Sequence, residues 1–338
     1  MTPEGQGQNA PVKGSRFSRR LAIALAIAGA VFAVMHFGDL EHFLALLRQA
    51  EPIWLLVAIA LQFGTYASVA YGWKSVLKRA ASPRPLIQLL PIAVSKLFAD
   101  QAIPSAGIGG HVLLIDRLTS LGVPRSAAAA TLIISLLGYY VAYAVLAVVM
   151  LVVLWLHKDA TPLLVGLVTA FLLVALAIPL LALWLRNRGS KPLPPRIERF
   201  TPIAKLLTVI GEAPAELVRD HGLLGRVAVC NAAVFLADSM TLAIIFMALG
   251  MPFEPGTAFL ALMAGSISAT LSPIPMGLGS FEAAAVAMLV SLGVAFEGGL
   301  TAVLLLRGLT LWLPLIPSFF LLRKGMHASN GRDGRGRA

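Results

Sequence analysis

Apolar runs long enough to cross roughly 30 Å of hydrocarbon recur along this chain of 338 residues. Only 13% of its residues are charged, 58% are apolar and the mean hydropathy is +0.84, values outside the range of soluble globular chains. The sequence therefore reads as an all-α polytopic membrane protein, with full spans expected at 21–38, 53–73, 126–156, 161–185, 223–250 and 297–322. The division it predicts is a basic tail over 1–20, a single transmembrane domain over 21–322 and a second basic tail over 323–338. The first run follows VKGSRFSRR and resembles a signal peptide, but its length and the lack of a clear small-x-small cleavage site favour an uncleaved first span. A single cysteine, Cys230, excludes an intramolecular disulfide or a Cys-rich metal site.

Two further apolar segments, 86–123 and 257–294, are broken midway by Pro and Gly and are expected to be re-entrant helical hairpins; a pair of complete crossings at each place is the alternative, of the same parity. Charge supports that reading. With the N-terminus inside, the cytoplasmic pieces carry 23 of the 27 basic residues, whereas a single crossing at either hairpin would send a basic segment outside. Both termini are then cytoplasmic. The net charge of +11 follows from this topology, and no basic face for nucleic acid is implied. The polar stretch 186–222 contains Ile197, Phe200, Ile203, Leu206, Leu207 and Ile210 at helical spacing, the pattern of an amphipathic helix on the cytoplasmic surface.

The hairpins are related to each other. IPSAGIGGHVLLIDRLTSLGV from Ile103 lies over IPMGLGSFEAAAVAMLVSLGV from Ile274 at an offset of 171, with seven identities in 21 positions including IP and SLGV. The repeat elements are about 86–156 and 257–322. Three spans separate the two hairpins, so they should enter from opposite sides as an inverted repeat, an arrangement that places broken helices near the midplane of transporters. Pro273 and Pro275 break a helix, Gly277 and Gly279 allow a tight turn, and the next helix should begin near Ser280 with free N–H groups suited to an anion. The alternative is plain packing, with Glu282 capping its own helix.

Ionisable groups at hydrocarbon depth cost at least about 2.5 kcal/mol when they face lipid, so Lys96, Asp100, His111, Asp238, Glu282 and Arg307 are expected to share a polar interior. Lys96 and Asp100 are four apart and can form a local ion pair. His111 and Glu282 are equivalent at the offset of 171, and Arg307 is expected to pair with Glu282 or Asp238 or to bind phosphate. Asp116 and Arg117 read as interfacial. Candidate headgroup-binding residues are Pro104, Gly109, Gly110, His111, Pro275, Gly277, Gly279, Glu282 and Arg307, and Lys96, Asp100 and Asp238 form the expected charge network. No catalytic signature occurs: there is no H-E-x-x-H, C-x-x-C, G-x-S-x-G or P-loop. Neither metal nor cofactor is expected.

At these residues, above all Pro275, Gly277, Gly279, Glu282, the SLGV after them and Arg307, the chain resembles the lysylphosphatidylglycerol synthase transmembrane-region, or flippase-like, family. That resemblance implies a bacterial cytoplasmic (inner) membrane protein that moves a lipid, anionic or with a modified headgroup, between leaflets. The chain ends shortly after its last expected span, so the aminoacyl-transferase domain of the synthases is expected to be absent. His111 departs from the family pattern, and some relatives accompany hopanoid or envelope-lipid pathways. Membrane lipids are the expected partners, with a second copy of the chain or envelope-lipid biosynthesis enzymes beside them. Two other function classes compete with the flippase: a membrane-embedded lipid-modifying enzyme using His111, Asp116 or Glu282, and a scaffold acting through 186–226.

Overall fold

The computed structural model describes residues 51–102, 108–156, 162–188, 212–272, 274 and 277–312, all within the compact unit Glu51–Ala338. The expected span 21–38, the amphipathic stretch 197–210 and the end of the last span, 313–322, lie outside the described residues, as do Pro104, Pro273 and Pro275. Every regular element described is helical. In order these are α1 (Pro52–Arg79), α2 (Leu86–Ala102), α3 (Ile108–Ser120), α4 (Arg125–Leu156), α5 (Pro162–Arg188), the single turn α6 (Ala215–Val218), α7 (His221–Ala248), α8 (Pro255–Leu271), α9 (Ser280–Ser291) and α10 (Phe296–Arg307). Among the described residues, four helices are long and apolar enough to cross a membrane: α1, α4, α5 over Leu164–Trp184, and α7. The chain is thus an all-α polytopic membrane protein.

The last expected span differs from a plain helix. It is α-helical only to Arg307 and continues as a π-helical segment, Gly308–Trp312. A π turn adds a residue to the ladder and rotates the helix face beyond it, and such bulges concentrate at functional sites. The α5 helix stays helical through Arg188, into the start of the polar stretch.

Each broken segment forms two short helices packed on each other, α2 on α3 and α8 on α9. Helix limits follow the offset of 171: α3 and α9 end at Ser120 and Ser291, and α4 and α10 start at Arg125 and Phe296. The stops share one chemistry. Gly122 and Gly293 take φ of +77° and +90°, with Val123 N–H bonded to Leu118 O at 3.1 Å and Val294 N–H to Leu289 O at 3.0 Å. That is a Schellman cap in both places, closed by a glycine that carries no Cβ penalty. The correspondence also reaches further upstream than the sequence repeat, because α1 precedes α2 as α7 precedes α8, and α1 and α7 pack against each other.

Two apolar clusters result from this order. One joins α2, α3, the first half of α4 and the ends of α1 and α7 around Trp73, Leu89, Leu114 and Leu118. The other joins α8, α9, α10, the second half of α4, α5 and the rest of α7 around Tyr143, Phe171, Phe246 and Leu289. Lipid tails are as apolar as Leu, so close packing at small residues has to hold such helices together. Ala127–Ala130 are all buried, and a Cβ on Gly138 would stand 2.7 Å from Val227 and 3.1 Å from the backbone N of Ala228. Only glycine lets α4 cross α7 that closely.

Candidate functional site

The second break is built by glycine. Gly277 has φ +61° and Gly279 has φ +81°. A Cβ on Gly277 would strike the Ala269 side chain and lie 2.8 Å from its Cα, so both its dihedral and its neighbour require glycine. The Ser280 hydroxyl donates to Gly277 O at 3.0 Å, and α9 starts at Ser280 as expected.

Glu282, in the first turn of α9, does two things. Its Oε2 accepts the Gly279 N–H at 2.7 Å and its Oε1 accepts Arg307 Nε at 2.7 Å. The capping role and the ion pair thus coexist on one carboxylate. Arg307 also lies over the Phe281 ring, 4.7 Å from its centroid, and Phe281 is buried. Both charged side chains are largely enclosed, at 12% and 16% exposure, immediately before the π-helical segment.

The first half carries different residues at the corresponding positions. Gly110 and His111 stand where Phe281 and Glu282 stand, and Leu136 stands where Arg307 stands. There a cavity of about 430 Å³ opens, with His111, Leu136, Lys96, Trp73, Tyr139 and Asn231 among its walls. Most of the lining is apolar or aromatic, and its charge comes from Lys96 on α2 and His111 in the first turn of α3. The first N–H groups of a helix lack partners within it and carry partial positive charge, which adds to the same sign. Ser135 Oγ also borders the cavity and is buried without a hydrogen-bond partner among the described residues. The arrangement suits an amphipathic ligand with a negative headgroup.

Asp238 belongs to neither place. Its Oδ1 accepts Gln62 Nε2 at 2.8 Å, and the same amide donates to Thr241 Oγ1 at 3.1 Å, tying α1 to α7. Among the described residues, the expected single polar interior is therefore three sites: Lys96 with His111, Glu282 with Arg307, and Asp238 with Gln62. No described residue of α8, α9 or α10 lines the cavity. Gly110 is buried and Gly109 lies in the first turn of α3; Asp100 is in α2, its side chain outside the described residues. Asp116 is exposed, in keeping with an interfacial position. Trp73, Tyr139, Asn231 and Gln62 carry no formal charge at neutral pH, so charge at hydrocarbon depth gives no sign of them. Gln62 and Asn231 did leave a signal, as uncharged polar residues inside apolar runs.

At the membrane edge, Asp220 caps α7, accepting Leu223 N–H at 3.0 Å and Arg79 Nε at 3.0 Å. The Leu223 N–H and the Arg79 guanidinium hold its carboxyl below the ordinary range.

The profile of the lysylphosphatidylglycerol synthase TM region matches residues 21–318. The chain belongs to this family. No curated protein matches it. Family membership agrees with the helical, multi-span architecture and associates the chain with membrane lipids.

Proposed function

We propose that the chain is a lipid flippase, moving a lipid with an anionic or modified headgroup between the leaflets of the bacterial cytoplasmic membrane. The observation that carries this reading is the cavity of about 430 Å³ bearing Lys96 and His111 among aromatic and aliphatic walls. Its volume falls in the small-molecule range, so a headgroup fits while acyl chains stay in lipid. The ammonium, the imidazole and the α3 N-terminus favour phosphate or carboxylate over a neutral group. The broken pairs α2–α3 and α8–α9 are taken as re-entrant hairpins of an inverted repeat, with both termini cytoplasmic. Shared helix limits and the shared Schellman caps support that symmetry. In this reading the headgroup sits in the first half, and the Glu282–Arg307 pair holds the second half shut until the halves exchange roles.

The test is reconstitution of the protein into phosphatidylcholine vesicles with fluorescent phosphatidylglycerol. Reduction by a membrane-impermeant reagent should pass half of the probe, at a rate well above empty vesicles. Lys96→Gln should slow the anionic probe about tenfold and a phosphatidylcholine probe less, since a charge-assisted bond is worth roughly 1.5–3 kcal/mol. Rates equal to those of empty vesicles would sink the proposal.

A further inference from the structure

Asp238 lies ten residues before the end of α7, about 15 Å along the helix, which puts a carboxylate near the middle of a span. Its partner among the described residues is a neutral amide. Gln62 is 2% exposed and Thr241 fully buried, while Asp238 itself is half-buried, so its partners in the node are enclosed and the carboxyl keeps an open side. Beside it, one turn along α1 from Gln62, is the Tyr66 hydroxyl, buried with no hydrogen-bond partner among the described residues and within electrostatic reach of Asp238. A carboxylate at such depth is costly as an anion, and a neutral amide offsets that cost less than a cation does.

The groups that packed elements bring near it are few. Among the described residues, α1 supplies Tyr66; its Lys74 is twelve residues beyond Gln62, about 18 Å away along the helix. From α4 come Tyr139 and Tyr143, stacked on Phe235 at centroid distances of 5.5 and 4.7 Å, one turn before Asp238. The α10 helix brings Glu297 and Arg307, the latter held by Glu282, while α6 brings Glu216 near the start of α7. No titratable side chain occurs in α8.

We propose that Asp238 is a proton-binding site whose loading and release drive the relative movement of α1 and α7. Oδ2, the oxygen that Gln62 leaves unengaged, takes a proton from water to give a neutral carboxylic acid; release returns the proton to water and restores the carboxylate. No electrons move. Protonation weakens the Oδ1 acceptor that ties Gln62 to α7, loosening the helix pair on which both halves pivot. Energy from a proton gradient would then reach the headgroup site, a step that rests on the flippase reading, although the proton site itself does not.

The experiment is infrared difference spectroscopy between acid and alkaline medium on the purified full chain in phosphatidylcholine vesicles, together with the fluorescent-phosphatidylglycerol assay under an imposed pH gradient. A carboxylic-acid C=O band should titrate in the wild type, vanish in Asp238→Asn and move in Gln62→Leu. The gradient should change the translocation rate several-fold, and Asp238→Asn should abolish that response. A carboxylic-acid band pattern identical in the wild type and Asp238→Asn overturns the proposal; should that variant fail to fold, a pattern identical in the wild type and Gln62→Leu overturns it. Translocation without any response to the gradient overturns the coupling but leaves the flippase reading standing. A titrating Asp238 band without translocation upholds the proton site and removes the flippase reading.

Discussion

The two broken helix pairs use the same frame and fill it differently. In the first pair His111 and Leu136 border a cavity, and the buried residue before His111 is Gly110; in the second, Phe281, Glu282 and Arg307 at the corresponding positions close on one another. A ring where the first pair has no side chain, and an ion pair where it has an imidazole and an aliphatic residue, mark the difference, and the backbone departs too, turning π-helical after Arg307 where α4 stays α-helical. Two helix pairs with the same limits can thus differ inside, one beside an open volume with Lys96 and one closed by an ion pair, because helix limits are set by caps while the interior is set by side-chain volume and charge.

That contrast can be broken first at the lock. Arg307→Ala leaves the mostly enclosed Glu282 without its cation, and the protein should lose about 3 kcal/mol of stability, read as a lower thermal midpoint in detergent. The double variant Glu282→Gln with Arg307→Met should recover much of it, because no unpaired charge remains. The break itself comes next. Gly277→Ala forces a Cβ into Ala269 at a positive φ and should cost about 2 kcal/mol in the same measurement. Gly110→Phe sharpens the comparison by giving the first pair the ring of the second; translocation of fluorescent phosphatidylglycerol should fall about tenfold, roughly 1.4 kcal/mol of barrier, and the thermal midpoint should fall as well, because Gly110 is buried.

The smallest effect is expected outside both halves, at the Asp220 cap. Its folded carboxyl titrates below the unfolded value of about 3.9, so its contribution is present above that pH and is lost as pH falls through the lower folded value. Asp220→Asn should lower the thermal midpoint slightly at neutral pH and remove this acid-side loss. Added salt should narrow the difference, because the Arg79 contact is exposed.

Much of the frame was legible in the residues. Apolar run length marked α1, α4, α5 and α7; the paired SLGV ends were legible only as a likeness between two segments, and the structure shows that their glycines close both Schellman caps. Ser280 as a helix start could be read from the two glycines before it. The cavity was not legible. It depends on Trp73, Tyr139 and Asn231 converging from three helices, and none of the three is charged. Nor was the pairing of α1 with α7, whose surfaces are apolar on most sides and give periodicity little contrast.

By itself, then, the sequence determined a helical membrane chain, its glycine-built break at Gly277 and Gly279 and the shared limits of its two broken helix pairs. These rest on local chemistry: hydrocarbon demands internally bonded backbone, and positive φ demands glycine. Only the tertiary structure decided that Arg307 takes Glu282 while Asp238 takes Gln62, and that the open volume lies beside Lys96 and His111. Partner choice and empty space depend on which side chains meet across helices far apart in the chain, where hydropathy and spacing carry no distance information.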